Sequence, residues 1–197
     1  PQNRSETLRA KLAPNGEKLV AYVGRLAPEK QVEDFRVLAG ADGVRLVIVG
    51  EGPEKATLAQ QLPNAYFAGF KKGAELAELI ATCDVFVHTG ELETFCQTIQ
   101  EAMASGLPAI APRKGGPVDL IDHSRTGWLY EPGNLTQMRD CVLDLLGDDS
   151  KRAAFAAAAQ ESVRKRTWPV LSEQLLGYYS RAIEAKRWEK ARGTLFA

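Results

Sequence analysis

The sequence predicts an α/β domain of three layers, in which a six-stranded parallel sheet is covered by helices on both faces and followed by carboxyl-terminal helices. Two patterns and the chain's size point there. Short apolar runs rich in Val, Ile and Phe alternate with longer segments of helical period. After the sixth run the alternation stops and only helical periodicity continues. With 197 residues and 45% hydrophobic content, the chain is large enough to bury one sizeable core.

The first run, 19–23, reads Leu-Val-Ala-Tyr-Val, and the second, 45–49, is Arg-Leu-Val-Ile-Val. Runs 65–68, 84–88, 109–111 and 127–130 complete the six expected strands. Continuous apolarity of this kind suits strands buried on both faces. Helices are expected at about 31–39, 53–61, 74–82, 95–104 and 116–121, each after a strand end marked by Gly, Pro or a polar turn. Beyond the sixth strand, 135–147, 150–166 and 169–190 read as consecutive helices. The alanine run from Ala153 to Ala159 marks a good helix former. The last helix sets Leu171, Leu175, Tyr178, Tyr179 and Ile183 near one face, with Trp188 further on, which calls for something to cover it.

Charge and cysteine usage exclude several classes. Lys plus Arg equals Asp plus Glu at 25 each, so no overall positive field would draw the chain onto nucleic acid, and anion binding must be local. Three cysteines without CxxC spacing indicate neither a disulfide framework nor a zinc site, and fit a reducing compartment, the cytoplasm by default. Cys83 and Cys141 read as small buried hydrophobes in helices, and Asp148-Asp149 as a helix-end pair rather than a metal ligand. His88 and His123 could serve acid-base chemistry, but a lone His is more often structural. No stretch approaches the roughly 18 apolar residues of a membrane span. The start, Pro1-Gln2-Asn3-Arg4-Ser5, has neither an initiator Met nor a signal-peptide core, so the chain reads as an excised piece.

Ligands of open parallel sheets sit beyond the carboxyl ends of the strands. After the first strand comes Gly24-Arg25-Leu26-Ala27-Pro28-Glu29-Lys30, where Gly24 permits a close turn and Arg25 and Lys30 offer two cations suited to a diphosphate. Solvated surface charge is the alternative for that pair. Gly50-Glu51-Gly52-Pro53 reads as a structural turn. The most informative stretch runs from Glu91 to Pro108. A helix at 95–104 would present unpaired amides and a positive dipole end to an anion. Glu93 lies in the loop at that helix mouth. Glu101 lies two turns inside, on one face with Gln97, where a carboxylate can accept from a ribose diol. Dipole stabilisation by Glu93 and solvation of Glu101 stay open as alternatives.

The Glu93-x7-Glu101 spacing followed by Ala102-Met103-Ala104-Ser105-Gly106-Leu107-Pro108 resembles the signature of glycosyltransferase family four, of the GT-B fold with two Rossmann-like domains. Gly24-Arg25-Leu26 with Lys30 is similar to that family's phosphate-binding segment, and the likeness extends from about Leu19 to Tyr178. It implies a donor-binding half of a retaining, metal-independent hexosyltransferase that needs no cofactor. Arg25 and Lys30 would hold the donor diphosphate, Glu101 the ribose, and Glu93 hydroxyls of the transferred sugar. Gly24, Thr94, Phe95, Cys96, Gln97 and Thr98 would line the donor, with backbone amides of 95–98 on sugar and phosphate. Phe70 and Lys71 of the loop Gly69-Phe70-Lys71-Lys72 would flank the base, and Gly115-Gly116-Pro117 would sit near the donor. Cys96 stands where the family usually has Gly, an expected narrowing of the pocket. His88-Thr89 replaces a common Pro-Ser, and with Glu93-Thr94-Phe95 and Gln97-Thr98-Ile99-Gln100-Glu101-Ala102 most resembles actinobacterial GDP-mannose-dependent mannosyltransferases of glycolipid synthesis.

The resemblance divides the chain into a lead-in from a preceding domain at 1–18, the nucleotide-sugar-binding domain at 19–166, and a crossover helix with tail at 167–197. It implies GDP-mannose or a UDP-sugar as donor, a partner in the absent acceptor-binding domain, and peripheral attachment through that half to the inner face of a membrane. The isolated chain is expected to hold nucleotide without turnover, and to self-associate through its last helix or fray there beyond about Ala185. The Glu-x7-Glu segment argues against an epimerase or phosphorylase on the same fold. A flavodoxin-like receiver is disfavoured because no acidic cluster follows the first strand.

Overall fold

The computed structural model describes residues 3–195, with the backbone alone for 188–195. It divides into two compact units at Val163 and Arg164. In the first unit six strands, β1 (Lys18–Val23), β2 (Val44–Val49), β3 (Tyr66–Gly69), β4 (Val85–Val87), β5 (Ala109–Pro112) and β6 (Gly127–Tyr130), form one sheet in the order β3-β2-β1-β4-β5-β6. Every pairing is parallel. All six expected strands are present, within a residue or two of the ends read from sequence.

The helices of this unit are α1 (Glu6–Leu12), α2 (Lys55–Gln61), α3 (Gly73–Thr82), α4 (Gln97–Ala104), α5 (Pro117–Leu120), α6 (Leu135–Gly147) and α7 (Asp149–Val163). Alternate strand residues feed two cores. On one face Leu19, Ala21, Val47, Phe86 and Ala109 pack with Leu79, Ile99, Met103 and Ala159 of α3, α4 and α7. On the other, Val20, Tyr22, Ile48, Val85 and Ile110 pack with Phe35, Leu58, Met138 and Val142. The alanine-rich face of α7 lets it lie close on α4, where Gln160 donates to the Ala104 carbonyl at 3.0 Å.

Three local readings need correction. The segment expected as a helix at 31–39 is a pair of 3-10 turns, Pro28–Lys30 and Val32–Leu38, joined by Gln31 in the left-handed region at φ 51°. Its proline-containing start and the left-handed joint break the i→i−4 ladder. Helix α1 arises where only a lead-in was read. Ser5 caps it by accepting from Leu8 N–H, Arg9 pairs with Asp84 at 2.8 Å, and Leu12 is buried in the core. Cys83 caps the end of α3 rather than lying inside it, and burial pushes its thiol up to about 12.

The second unit is a single helix, α8 (Trp168–Leu195), of 28 residues. Within it Arg181 stacks over the Tyr178 ring at 4.7 Å, and Ser180 donates to the Leu176 carbonyl. The side chain of Trp188, read above with this helix, lies outside the described residues.

Candidate functional site

The strand order reverses direction beside β1, with β2 on one side and β4 on the other. Segments leaving β1 and β4 at their carboxyl ends therefore flank a crevice. Lys30 arrives from β1 and Glu93 from β4, and the Lys30 ammonium donates to Glu93 Oε1. Both are largely enclosed, at 24% and 17% side-chain exposure. His88, at the end of β4, brings Nε2 to 3.3 Å from the same oxygen, within electrostatic reach though not aligned as a hydrogen bond. The His88 ring and the Lys30 ammonium outweigh burial and hold the Glu93 carboxyl down at about 2. Glu93 is thus an anion at neutral pH, able to accept from hydroxyls and unable to deliver a proton.

Other strand ends brace this pair. Thr89, buried, donates through Oγ1 to the Lys30 carbonyl at 2.6 Å. The turn after β2 supports the β1 loop, with Leu26 N–H on the Glu51 carbonyl and Glu54 N–H on the Leu26 carbonyl, both at 3.0 Å. Gly24 is pinned by its own strand, since a Cβ there would lie 2.5 Å from Tyr22 Oη, which itself donates to the Arg25 carbonyl. Beneath the Glu93 loop run Gly115 and Gly116. Gly116 N–H donates to the Glu93 carbonyl at 2.8 Å, and a Cβ on Gly116 would collide with the Thr94 carbonyl and approach Cys96 Sγ to 2.7 Å. Gly115, at φ 62°, leaves no more room, with Glu93 O 2.6 Å from any added Cβ.

Helix α4 begins at Gln97, two residues later than the sequence suggested, so the Phe95 amide lies outside it. The Phe95 carbonyl accepts from Gln100 Nε2 at 2.7 Å. The cap residue of α4 makes no side-chain hydrogen bond to the first turn, whose amides include those of Gln97 and Thr98. Cys96 holds the cap position in the left-handed region at φ 52°. The expected narrowing of the pocket by its side chain does not occur: Sγ packs into the core at 5% residue exposure, with Ile99 and Met103 in the same cluster. Burial and Glu93 together push its thiol up to about 11, so it stays protonated. Glu101 lies on α4 as read, accepting from Gln97 Nε2 at 2.8 Å.

The two cations of the β1 loop are turned to different carboxylates. Arg25 is exposed and lies 3.6 Å from Glu29, while Lys30 is enclosed with Glu93. Phe70 and Lys71 follow β3, two strands from β1, with Phe70 exposed at 70% and Lys71 beside Glu75 at 3.6 Å. Phe70, Leu92, Phe95 and Val118 are exposed large apolar side chains that all follow strand ends along this same edge. Two contributors escaped the sequence reading. His88 meets the site although read as structural, and Lys114 pairs with Glu91 at 2.9 Å to tie the β5 loop to the β4 loop. The polar pair His88-Thr89 ending an apolar run was the available signal. His123 is structural as read, accepting from Leu129 N–H at 3.1 Å and packing edge-on against Trp128.

A family model described as "Glycosyl transferases group 1" matches residues 3–162. The chain belongs to that family. Among relatives of the chain, a GDP-mannose-dependent alpha-mannosyltransferase of Mycobacterium tuberculosis is 48% identical over 97% of this chain and 50% of its own length. One of the same description from Mycolicibacterium smegmatis is 49% identical over 91% of this chain and 47% of its own. The chain thus spans about half the length of these curated relatives. Among solved structures, Anabaena HepE in complex with UDP superposes with a TM-score of 0.80 at 28% identity, covering 92% of this chain and 53% of that one. The C-terminal domain of a Francisella tularensis group 1 family protein, LpcC, superposes at 0.71 over 83% of this chain and 92% of that domain, with 23% identity. The fold is that of one Rossmann-like domain of the GT-B glycosyltransferases.

Proposed function

We propose that this chain is the donor-binding half of a retaining α-mannosyltransferase that takes GDP-mannose and glycosylates a lipid or polysaccharide acceptor. The observation that carries the reading is the meeting of Lys30 and Glu93 at the β1/β4 crevice, with Glu93 four residues before the start of α4, whose cap residue makes no side-chain hydrogen bond to the first turn. A cation beside helix amides suits a diphosphate without a metal ion. Lys30 binds phosphate, with Arg25 swinging from Glu29 to join it, and the amides of Gln97 and Thr98 complete the cradle. Glu101 accepts from the ribose hydroxyls. Phe70 and Lys71 border the base along the β3 edge. Thr94, Phe95 and Cys96 shape the sugar end through their backbone, and Gly24 lets the β1 loop turn close to the phosphates.

In this reaction the acceptor oxygen attacks the anomeric carbon on the face from which the phosphate leaves, the carbon–phosphate oxygen bond breaks, and the departing phosphate takes the acceptor proton. Retention follows from that geometry. Glu93, anionic at neutral pH, orients the sugar by accepting from its hydroxyls. The absent acceptor-binding half closes the other side of the cleft, so the chain alone binds nucleotide without turnover. That half would also bring the enzyme to the cytoplasmic face of a membrane. Among the described residues no helix is long and apolar enough to cross one. The apolar residues of α8 would pack on the absent half or on a second copy of the chain.

A UDP-sugar donor is the second reading, favoured by the UDP complex of HepE. Calorimetric titration with GDP, UDP and ADP in parallel separates the two. Tightest binding of GDP is expected; preference for UDP would replace the mannosyl reading, and no binding of any of the three would overturn donor binding itself.

A further inference from the structure

Among the described residues Thr82, His88, Thr89 and Thr126 are buried as whole residues and carry polar side chains. Three have their hydrogen bonds. Thr82 accepts from Ser5 N–H and donates to the Glu78 carbonyl, Thr126 accepts from Asp122 N–H, and Thr89 donates to the Lys30 carbonyl. His88 differs: its side chain is 5% exposed, yet neither ring nitrogen makes an aligned hydrogen bond. Buried polar atoms in that state call for a functional or structural reason. Nε2 faces the crevice, 3.3 Å from Glu93 Oε1, and a Cβ on Gly90 would stand 3.3 Å from that nitrogen and 3.4 Å from that oxygen. A side chain at position 90 would therefore crowd both the imidazole and the carboxylate.

Lys30 and His88 converge on one carboxylate oxygen. On the reading above, Lys30 must also serve the donor phosphate. Resting on that reading, we infer that His88 is a positioning residue: it holds Glu93 against the transferred sugar when Lys30 turns to phosphate, its Nε2–H closing a hydrogen bond to Oε1 and leaving Oε2 for a sugar hydroxyl. Thr89 serves the other half of the pair. By fixing the Lys30 carbonyl it gives the lysine side chain a stationary pivot. The adjacent residues His88 and Thr89 thus brace both members of the ion pair from beneath, one through a side chain and one through the backbone.

The test is calorimetric titration of GDP and GDP-mannose into the chain and into its His88→Leu and His88→Gln variants. Gln can place an amide N–H near the position of the imidazole Nε2; Leu cannot donate. The parent should bind GDP-mannose more tightly than GDP. His88→Leu should lower GDP-mannose affinity on the order of tenfold while leaving GDP affinity unchanged, and His88→Gln should restore most of the loss. Equal losses for the two ligands in His88→Leu, no loss, or failure of Gln to rescue would overturn the inference, as would a parent that does not distinguish the ligands. Ring 15N spectra of the unmodified chain supply a measurement free of folding effects. The proton should reside on Nε2 and its signal should move with GDP-mannose and not with GDP; a proton on Nδ1 overturns the role. A parent that binds neither ligand overturns the nucleotide reading first, and this inference with it.

Discussion

Replacing Glu93 by Gln keeps the shape of the side chain and removes the charge that Lys30 and His88 share. Its carboxyl is lowered from 4.5 to about 2 in the folded chain. A carboxyl depressed on folding contributes stability that is fully present above its unfolded pKa and is lost as pH falls through the folded one. The window therefore runs from about pH 4.5 down to about pH 2. At roughly 1.4 kcal/mol per unit, the charge contributes about 3 kcal/mol at pH 7, an upper bound because the Gln amide can still accept. The parent's advantage should be smaller at pH 4 and should fall to about half its neutral value or less by pH 3. Urea unfolding followed by circular dichroism at pH 7, 5, 4 and 3, on parent and variant side by side, measures that difference. A gap of about 3 kcal/mol that closes on acidification supports the ionised, doubly held carboxylate. An unchanging gap at all four pH values would refute it, because the variant would then be destabilised by packing and not by lost charge.

Further outcomes follow from the same geometry. Lys30→Ala and Arg25→Ala should each weaken GDP by about tenfold or more while leaving guanosine nearly unaffected, since charge-assisted bonds to phosphate are worth about 1.5–3 kcal/mol; equal losses in calorimetry would remove both residues from the phosphate site. Glu101→Gln should weaken GDP but barely alter binding of the dideoxyribose analogue, and equal losses for both would make Glu101 structural. Gly116→Ala should lower stability by about 2–4 kcal/mol in thermal or urea melts and abolish nucleotide binding, because its Cβ would strike the Thr94 carbonyl under the Glu93 loop; a melt like the parent's would mean the loop moves aside. Hydrogen exchange across 169–190 should be fast in the isolated chain and slowed by adding the absent half, whereas protection equal to that of β1 and β4 without any partner would remove the argument for a covered face.

The sheet was legible because burial on both faces demands continuous apolarity, and 19–23, 46–49 and 85–87 are apolar throughout. Strand ends then directed attention to the loops that carry Lys30 and Glu93, which the structure brings together. The reading failed where the backbone leaves its regular period. Gln31 and Cys96 both adopt positive φ, and neither residue type announces it as glycine would. That one conformation shortened α4 by two residues and turned the Cys96 side chain from the expected pocket into the core. Helix α1 was missed because much of its hold is tertiary, through Arg9 on Asp84 and the buried Leu12.

By itself, then, the sequence determined the alternating layers, their order along the chain and the edge on which chemistry would gather, since these follow from local periodicity and residue type. Which side chains meet there was decided by tertiary structure alone. Lys30 and Glu93 are 63 residues apart, and only the pairing of β1 with β4 brings their loops to one crevice. His88 became a partner of Glu93 for the same reason. Nothing in one residue's identity says which oxygen its ring will face; that is fixed by where the strand ends, by Gly90 sparing the imidazole and carboxylate a crowding side chain, and by the glycines under the loop that let Glu93 fold back over it.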